Sequence, residues 1–146
     1  MAATLGLREL FVTGMGAMLS DELSILALYG LLVMATILAQ VTGAAGQLGM
    51  GYLLSSRDEG RSVTGMTGRL ERAMGNSVTA LALFAAPVLI LALRDSFTAN
   101  SLLAAQVFLL ARLVYLPAYV FGIVGARTAA WLAGFAATAI LYLLAL

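Results

Sequence analysis

Arg112 falls near the middle of an apolar run, SLLAAQVFLLARLVYLPAYVFGIV from Ser101 to Val124, that is long enough to cross a membrane. A guanidinium keeps its proton in proteins, and holding it at mid-bilayer costs between about 2.5 and about 17 kcal/mol, depending on the reference state. It must therefore meet a partner, a cavity or a ligand instead of lipid. On a helix, Arg112, Tyr115 and Tyr119 are spaced by 3 and 4 and share a face, with Gln106 on a nearby one. A second stripe, Arg69, Arg72, Asn76 and Thr79, is spaced by 3, 4 and 3. Two such stripes turned toward each other would line a polar cleft with cations, an amide and phenols. Arginine forks match carboxylates and tyrosine hydroxyls donate to anions, so the chemistry expected is binding of an anionic ligand with carboxylates.

Each of these residues also has a plainer reading. Arg69 reads as an interfacial cation, and Arg72 as the same, paired with Glu71 or a neighbour, or as a ligand contact. Asn76 suits a helix–helix hydrogen bond, and Tyr115 and Tyr119 suit core or interface aromatics. For Arg112 the protein partner on offer is Glu71, and Pro117 offers to kink the helix and free a carbonyl in the cleft. Arg127, just after Gly125, reads in isolation as a boundary arginine.

The elements that must position these groups are four apolar runs, about Leu23 to Val41, Val78 to Leu93 (as a helix from near Gly68), Ser101 to Val124, and Thr128 to Leu146. Each approaches the ~20 residues that span hydrocarbon, and strand-like alternation is missing, so all four read as helices. Of 146 residues, 62% are hydrophobic and 10% charged, against about 25% charged in soluble domains. Mean hydropathy is +1.02. The chain reads as one integral membrane domain, 21–146, behind an extension of residues 1–20, with the lipid bilayer as its first partner. A net charge of +1 and no basic patch interleaved with aromatics exclude nucleic acid as a partner. With no Cys and no His there is no thiol nucleophile, no Ser-His or Cys-His catalysis and no metal site to expect.

Leu93 to Ser96 and Gly125 to Arg127 read as tight turns, while the loop from Thr42 to Thr67 is long, with a start that prolongs the first helix and a water-loving middle, SSRDEGRSVTG. Arg57, Arg61, Arg69, Arg72 and Arg127 gather on one side, against Arg8 and Arg94 on the other, which puts the first and third loops in the cytoplasm. The first twenty residues are a poor signal peptide and read as interfacial or disordered. Met18 is an alternative start, with Asp21 or Ser20 capping the first helix. Ala129, Ala130, Ala133, Gly134, Ala136 and Ala137 permit close helix packing, within or between chains.

Order and spacing together resemble the MAPEG family, the membrane-associated proteins of eicosanoid and glutathione metabolism. The matching segments are RLERAMGN at Arg69 to Asn76, ARLVYLPAYVFG at Ala111 to Gly122, and RTAAW at Arg127 to Trp131; SRDE at Ser56 to Glu59 looks like the loop of bacterial members. The resemblance runs from about Asp21 to the C-terminus. It implies an all-α fold, an integral membrane four-helix bundle of left-handed up-and-down topology, assembled as a homotrimer in a bacterial inner membrane. Glutathione would lie between subunits, near the cytoplasmic side. By the same resemblance Arg72 and Asn76 would hold it, Tyr115 and Tyr119 would contact it, Arg112 would lie beneath, ordering the site or binding the ligand, and Arg127 would stabilise the thiolate. Thr79 departs from the glutamate usual three residues after the asparagine, and Gly75 replaces a larger residue.

The expected function is a glutathione transferase or peroxidase acting on a small lipophilic substrate. Two alternatives stand beside it: a non-enzymatic membrane protein of the same fold that binds lipid or a partner, and a small transporter or channel subunit.

Overall fold

The computed structural model describes Gly16 and residues 18–146; the expectation of an interfacial or disordered extension lies outside the described residues for 1–15 and 17. The described chain is helical, with α1 at Glu22–Leu48, a short α2 at Met50–Leu53, α3 at Gly65–Leu93, α4 at Ala99–Phe121 and α5 at Val124–Ala145. The four long helices are each apolar and long enough to cross a membrane, so this is an integral, multi-pass membrane protein. The first helix continues to Leu48 before Gly49, at φ +82°, interrupts it.

Helices α3 and α4 form the centre, each packing against the other and against both α1 and α5. Buried positions recur every three or four residues, as one helix face requires: Ile25, Tyr29 and Val33 on α1, Ala80, Phe84, Val88 and Leu91 on α3, Ala104, Ala105 and Phe108 on α4, and Ala137, Leu141 and Ala145 on α5. An aromatic knot sits at the middle. Phe84 and Phe108 stack with centroids 3.9 Å apart, and Tyr29 meets Phe108 edge-on at 4.8 Å. Large apolar side chains remain exposed on the outer faces, such as Leu31 and Leu38 on α1, Leu103 and Leu110 on α4, and Leu132 and Leu143 on α5, where a bilayer takes the place of a protein core.

The α4–α5 hairpin is the tightest pair, and its turn differs from expectation. Gly125 to Arg127 belong to the first turn of α5, and the reversal is made by Gly122 and Ile123. Gly122 adopts φ +77°; its N–H donates to the Tyr119 carbonyl and the Ile123 N–H to Ala118, the hydrogen-bond pair of a Schellman cap. Small side chains allow the close approach, with Ala130, Gly134 and Ala137 all buried. At the other end of the bundle Asp95 (φ +49°) closes α3 with the same bond pattern, and Arg94 Nη1 donates to the carbonyl of Ala145.

The start of α1 is fastened at three points. The Glu22 carboxylate accepts from Ser101 Oγ at 2.6 Å in a buried setting, and Gln106 Nε2 donates to the Leu19 carbonyl at 2.8 Å. Gln106 therefore serves this end of the bundle and not the polar cleft. Asp21 is the N-cap, accepting from the Ser24 N–H at 2.8 Å. Hydrogen bonds from Ser24, the hydroxyl first and then the backbone N–H, hold the Asp21 carboxyl below its ordinary value. Because the folded pKa is depressed, this stabilisation is present above the unfolded value and fades as pH falls through the folded one. Asp21→Ala is expected to cost about 1 kcal/mol near neutrality. The difference from wild type should shrink in acid, as read by thermal unfolding in detergent across pH 7 to 3.

Candidate functional site

Near the α4–α5 turn a cavity of about 290 Å³ opens between α3, α4 and α5, lined by Asn76, Tyr115, Tyr119, Arg127, Thr128 and Trp131. The Schellman turn brings Arg127 back toward the end of α4, and its guanidinium lies 4.9 Å from the centre of the Tyr119 ring. No ion pair to Arg127 occurs among the described residues, where Arg61–Glu59 is the sole salt bridge. Tyr115 and Tyr119 meet edge to face at 5.5 Å. Tyr115 is buried, and its hydroxyl has no hydrogen-bond partner among the described residues.

Asn76 enters from α3. Its Oδ1 accepts from Trp131 Nε1 at 3.3 Å, which leaves the Nδ2 hydrogens to donate into the cavity. The cavity thus presents one cation, an amide N–H pair and two phenols, a set of donors that suits an anionic ligand with carboxylate or thiolate groups. Trp131 and Thr128 were not singled out from the sequence as site residues. The signal was available in the spacing: Arg127 and Trp131 are four apart, so they share one face of α5.

Arg112 lies one turn below Tyr115, away from the cavity lining. It is 5% exposed, and its Nε and Nη1 atoms have no hydrogen-bond partner among the described residues. Its guanidinium sits 5.3 Å from the Phe108 ring centre and 5.4 Å from that of Tyr115. Two π faces contribute up to about 2 kcal/mol each when desolvated, against several kcal/mol for burying an ion, so they offset only part of the cost. Gly134 on α5 provides the space, since a Cβ there would stand 3.2 Å from Arg112 Nε.

Other expected partners are elsewhere. Glu71 is exposed and makes no ion pair with Arg112 or Arg72. Arg72 is exposed, turned back along α3 with Nη1 near Gly68, and does not line the cavity. Pro117 is exposed, outside the lining. Thr79 is also exposed, and its hydroxyl donates to the Gly75 carbonyl at 3.0 Å. Arg69 has a more definite task than an interfacial cation: its Nε donates to the Val120 carbonyl at 2.7 Å, satisfying an end carbonyl of α4 and fastening α3 beside the cavity.

The polar loop is ordered by its own contacts. The Tyr52 hydroxyl accepts from the Arg61 N–H at 2.7 Å, and Gln47 brackets Thr64 by accepting its N–H at 3.0 Å while donating to its carbonyl at 3.3 Å. That loop stands at the same end of the bundle as the cavity, since α1 ends and α3 begins there.

The family model described as the MAPEG family matches residues 23–146. No curated protein and no solved structure matches the chain. But for Glu22, the first residue of α1, the matched span holds the four long helices, together with every residue around the cavity, and the chain belongs to the MAPEG family.

Proposed function

We propose that the cavity binds glutathione and that the protein uses it on lipophilic electrophiles or peroxides that arrive from the bilayer. The observation that carries this reading is the unpaired Arg127 beside Asn76, Tyr115 and Tyr119, a donor set with no internal anion among the described residues. The Nδ2 of Asn76 and the Tyr119 phenol fit the carbonyl and carboxylate oxygens of such a tripeptide. Family membership supports glutathione as the thiol.

When bound, glutathione supplies the nucleophilic sulfur. Arg127 favours the thiolate by placing a positive charge beside it. Asn76 donates to the ligand backbone, held in orientation by Trp131. Tyr115 and Tyr119 form the wall on α4, and Tyr119 donates from it. Arg72, one turn along α3 from Asn76 but turned back toward Gly68, reaches a carboxylate by a change of rotamer. A homotrimer, with the first and third loops cytoplasmic, completes this reading and accounts for the cavity's open side.

Calorimetry of glutathione binding to the purified protein in detergent tests it. Wild type is expected to bind at millimolar concentration or tighter, and Asn76→Ala to weaken binding about tenfold, the loss of one hydrogen bond to the ligand. No binding by wild type at millimolar glutathione would remove the enzyme reading. A second, non-enzymatic reading, a scaffold of this fold that takes lipid or a partner, is favoured by Thr79, whose hydroxyl is turned to its own helix. Under that reading Thr79→Glu creates thiol binding where wild type has none.

A further inference from the structure

We propose that Arg112 and Tyr115 form a second, enclosed anion site in the bundle core, which takes a small monovalent inorganic anion of the chloride class. Three buried polar atoms, Arg112 Nε, Arg112 Nη1 and the Tyr115 hydroxyl oxygen, have no partner among the described residues. The two guanidinium atoms can only donate, and the phenol donates readily, so the site lacks an acceptor. The guanidinium also carries a full charge that it cannot lose. In a water-poor interior that charge selects an anion over a neutral acceptor.

The surroundings do not supply that anion. Tyr29 has already committed its hydroxyl to the Ser77 carbonyl at 3.1 Å. Among the described residues the one buried carboxylate, Glu22, is held by Ser101 at the far end of α4, and the others lie in loops or near helix ends with no ion pair to Arg112. Size is set by the walls. Phe108 and Tyr115 present ring faces to the guanidinium, and Gly134 comes so close that even a methyl group would stand 3.2 Å from Nε and 3.4 Å from Nη2. Walls this close exclude a peptide, and a single small ion is what the three donors call for. The site is separate from the open cavity, whose lining includes Tyr115 but not Arg112, and it stands whether or not glutathione binds above it.

The test uses the whole protein in detergent, exchanged into sodium gluconate and titrated with chloride or bromide at constant ionic strength. Thermal unfolding is the readout, because an ion that binds only the folded state raises Tm in proportion to the logarithm of 1 + [ion]/Kd. A halide-specific rise of several degrees is expected. Arg112→Met should abolish it, and Tyr115→Phe and Gly134→Ala should each raise the Kd that fits the titration at least tenfold. Arg127→Ala should leave the response in place. Equal Tm in gluconate and chloride overturns the proposal. So does a response that survives in Tyr115→Phe and Gly134→Ala, variants that decide the matter even where Arg112→Met does not fold. Loss of the response in Arg127→Ala assigns the ion to the open cavity and also overturns it.

Discussion

Replacing Arg127 with leucine is expected to lower thiol-dependent turnover by about 10²- to 10³-fold, the range typical of removing one electrostatic stabiliser from a reacting anion. A free thiol titrates near pH 8.5, so at neutral pH little of it is thiolate. A cation beside the sulfur lowers that value. Without Arg127 the thiol's pKa rises, and the rate deficit should be largest at low pH and shrink as pH approaches 9. Arg127→Lys should recover part of the rate, since it restores the charge without the planar fork. The bundle should remain folded. The guanidinium is only half-buried, and its contact with Tyr119, 4.9 Å to the ring centre, contributes about 0.5–1 kcal/mol at such a site. The checks are kcat/KM against pH with a lipophilic electrophile, and Tm in the same detergent. A variant that matches wild type across pH 6 to 9 would strip Arg127 of this role.

The helices were readable because their signal is a run of apolar residues, and the bilayer's thickness fixes how long such a run must be. Asp21 as a cap was readable for a similar reason, as a local rule with one partner three residues away. The α4–α5 turn was misplaced by three residues because two glycines, Gly122 and Gly125, both suit a reversal, and only the backbone path shows which takes positive φ. Contacts between distant elements were the least accessible. Nothing local marks Gln106 as a partner of Leu19, or Arg69 as a partner of Val120, across 87 and 51 positions. Asn76, Tyr115 and Tyr119, drawn from the two helical stripes, line one cavity. The stripes did not separate Arg112 from it, because a shared face fixes direction around an axis and not depth along it. Arg72 shows the same limit, since it lies on the stripe of Asn76 yet stays outside the lining.

Phe108→Ala should be the most damaging single substitution in the core, at about 3–5 kcal/mol. Phe108 is fully buried, stacks on Phe84 at 3.9 Å, and receives the edge of Tyr29 at 4.8 Å. In a bilayer the lipid-facing state is already apolar, so helices associate through packing more than through escape from water. The loss is therefore chiefly of close contacts that no rearranged neighbour can replace, with each aromatic pair adding about 0.5–1.5 kcal/mol. Phe108→Leu should recover most of the stability by refilling the volume. Leu110→Ala, two residues along but 62% exposed, should stay within about 0.5 kcal/mol of wild type. Reversible unfolding in mixed micelles ranks the three, and equal losses in Phe108→Ala and Leu110→Ala would contradict this account of the core. The substitution also removes a ring 5.3 Å beneath the Arg112 guanidinium. A void beside a buried cation is polar enough to admit water. Hydrating Arg112 would relieve its need for a partner and loosen Tyr115, which lines the cavity above. Ligand affinity should fall along with stability in Phe108→Ala, although Phe108 does not line the cavity, because the aromatic knot and the donor-lined cavity share Arg112 as their boundary.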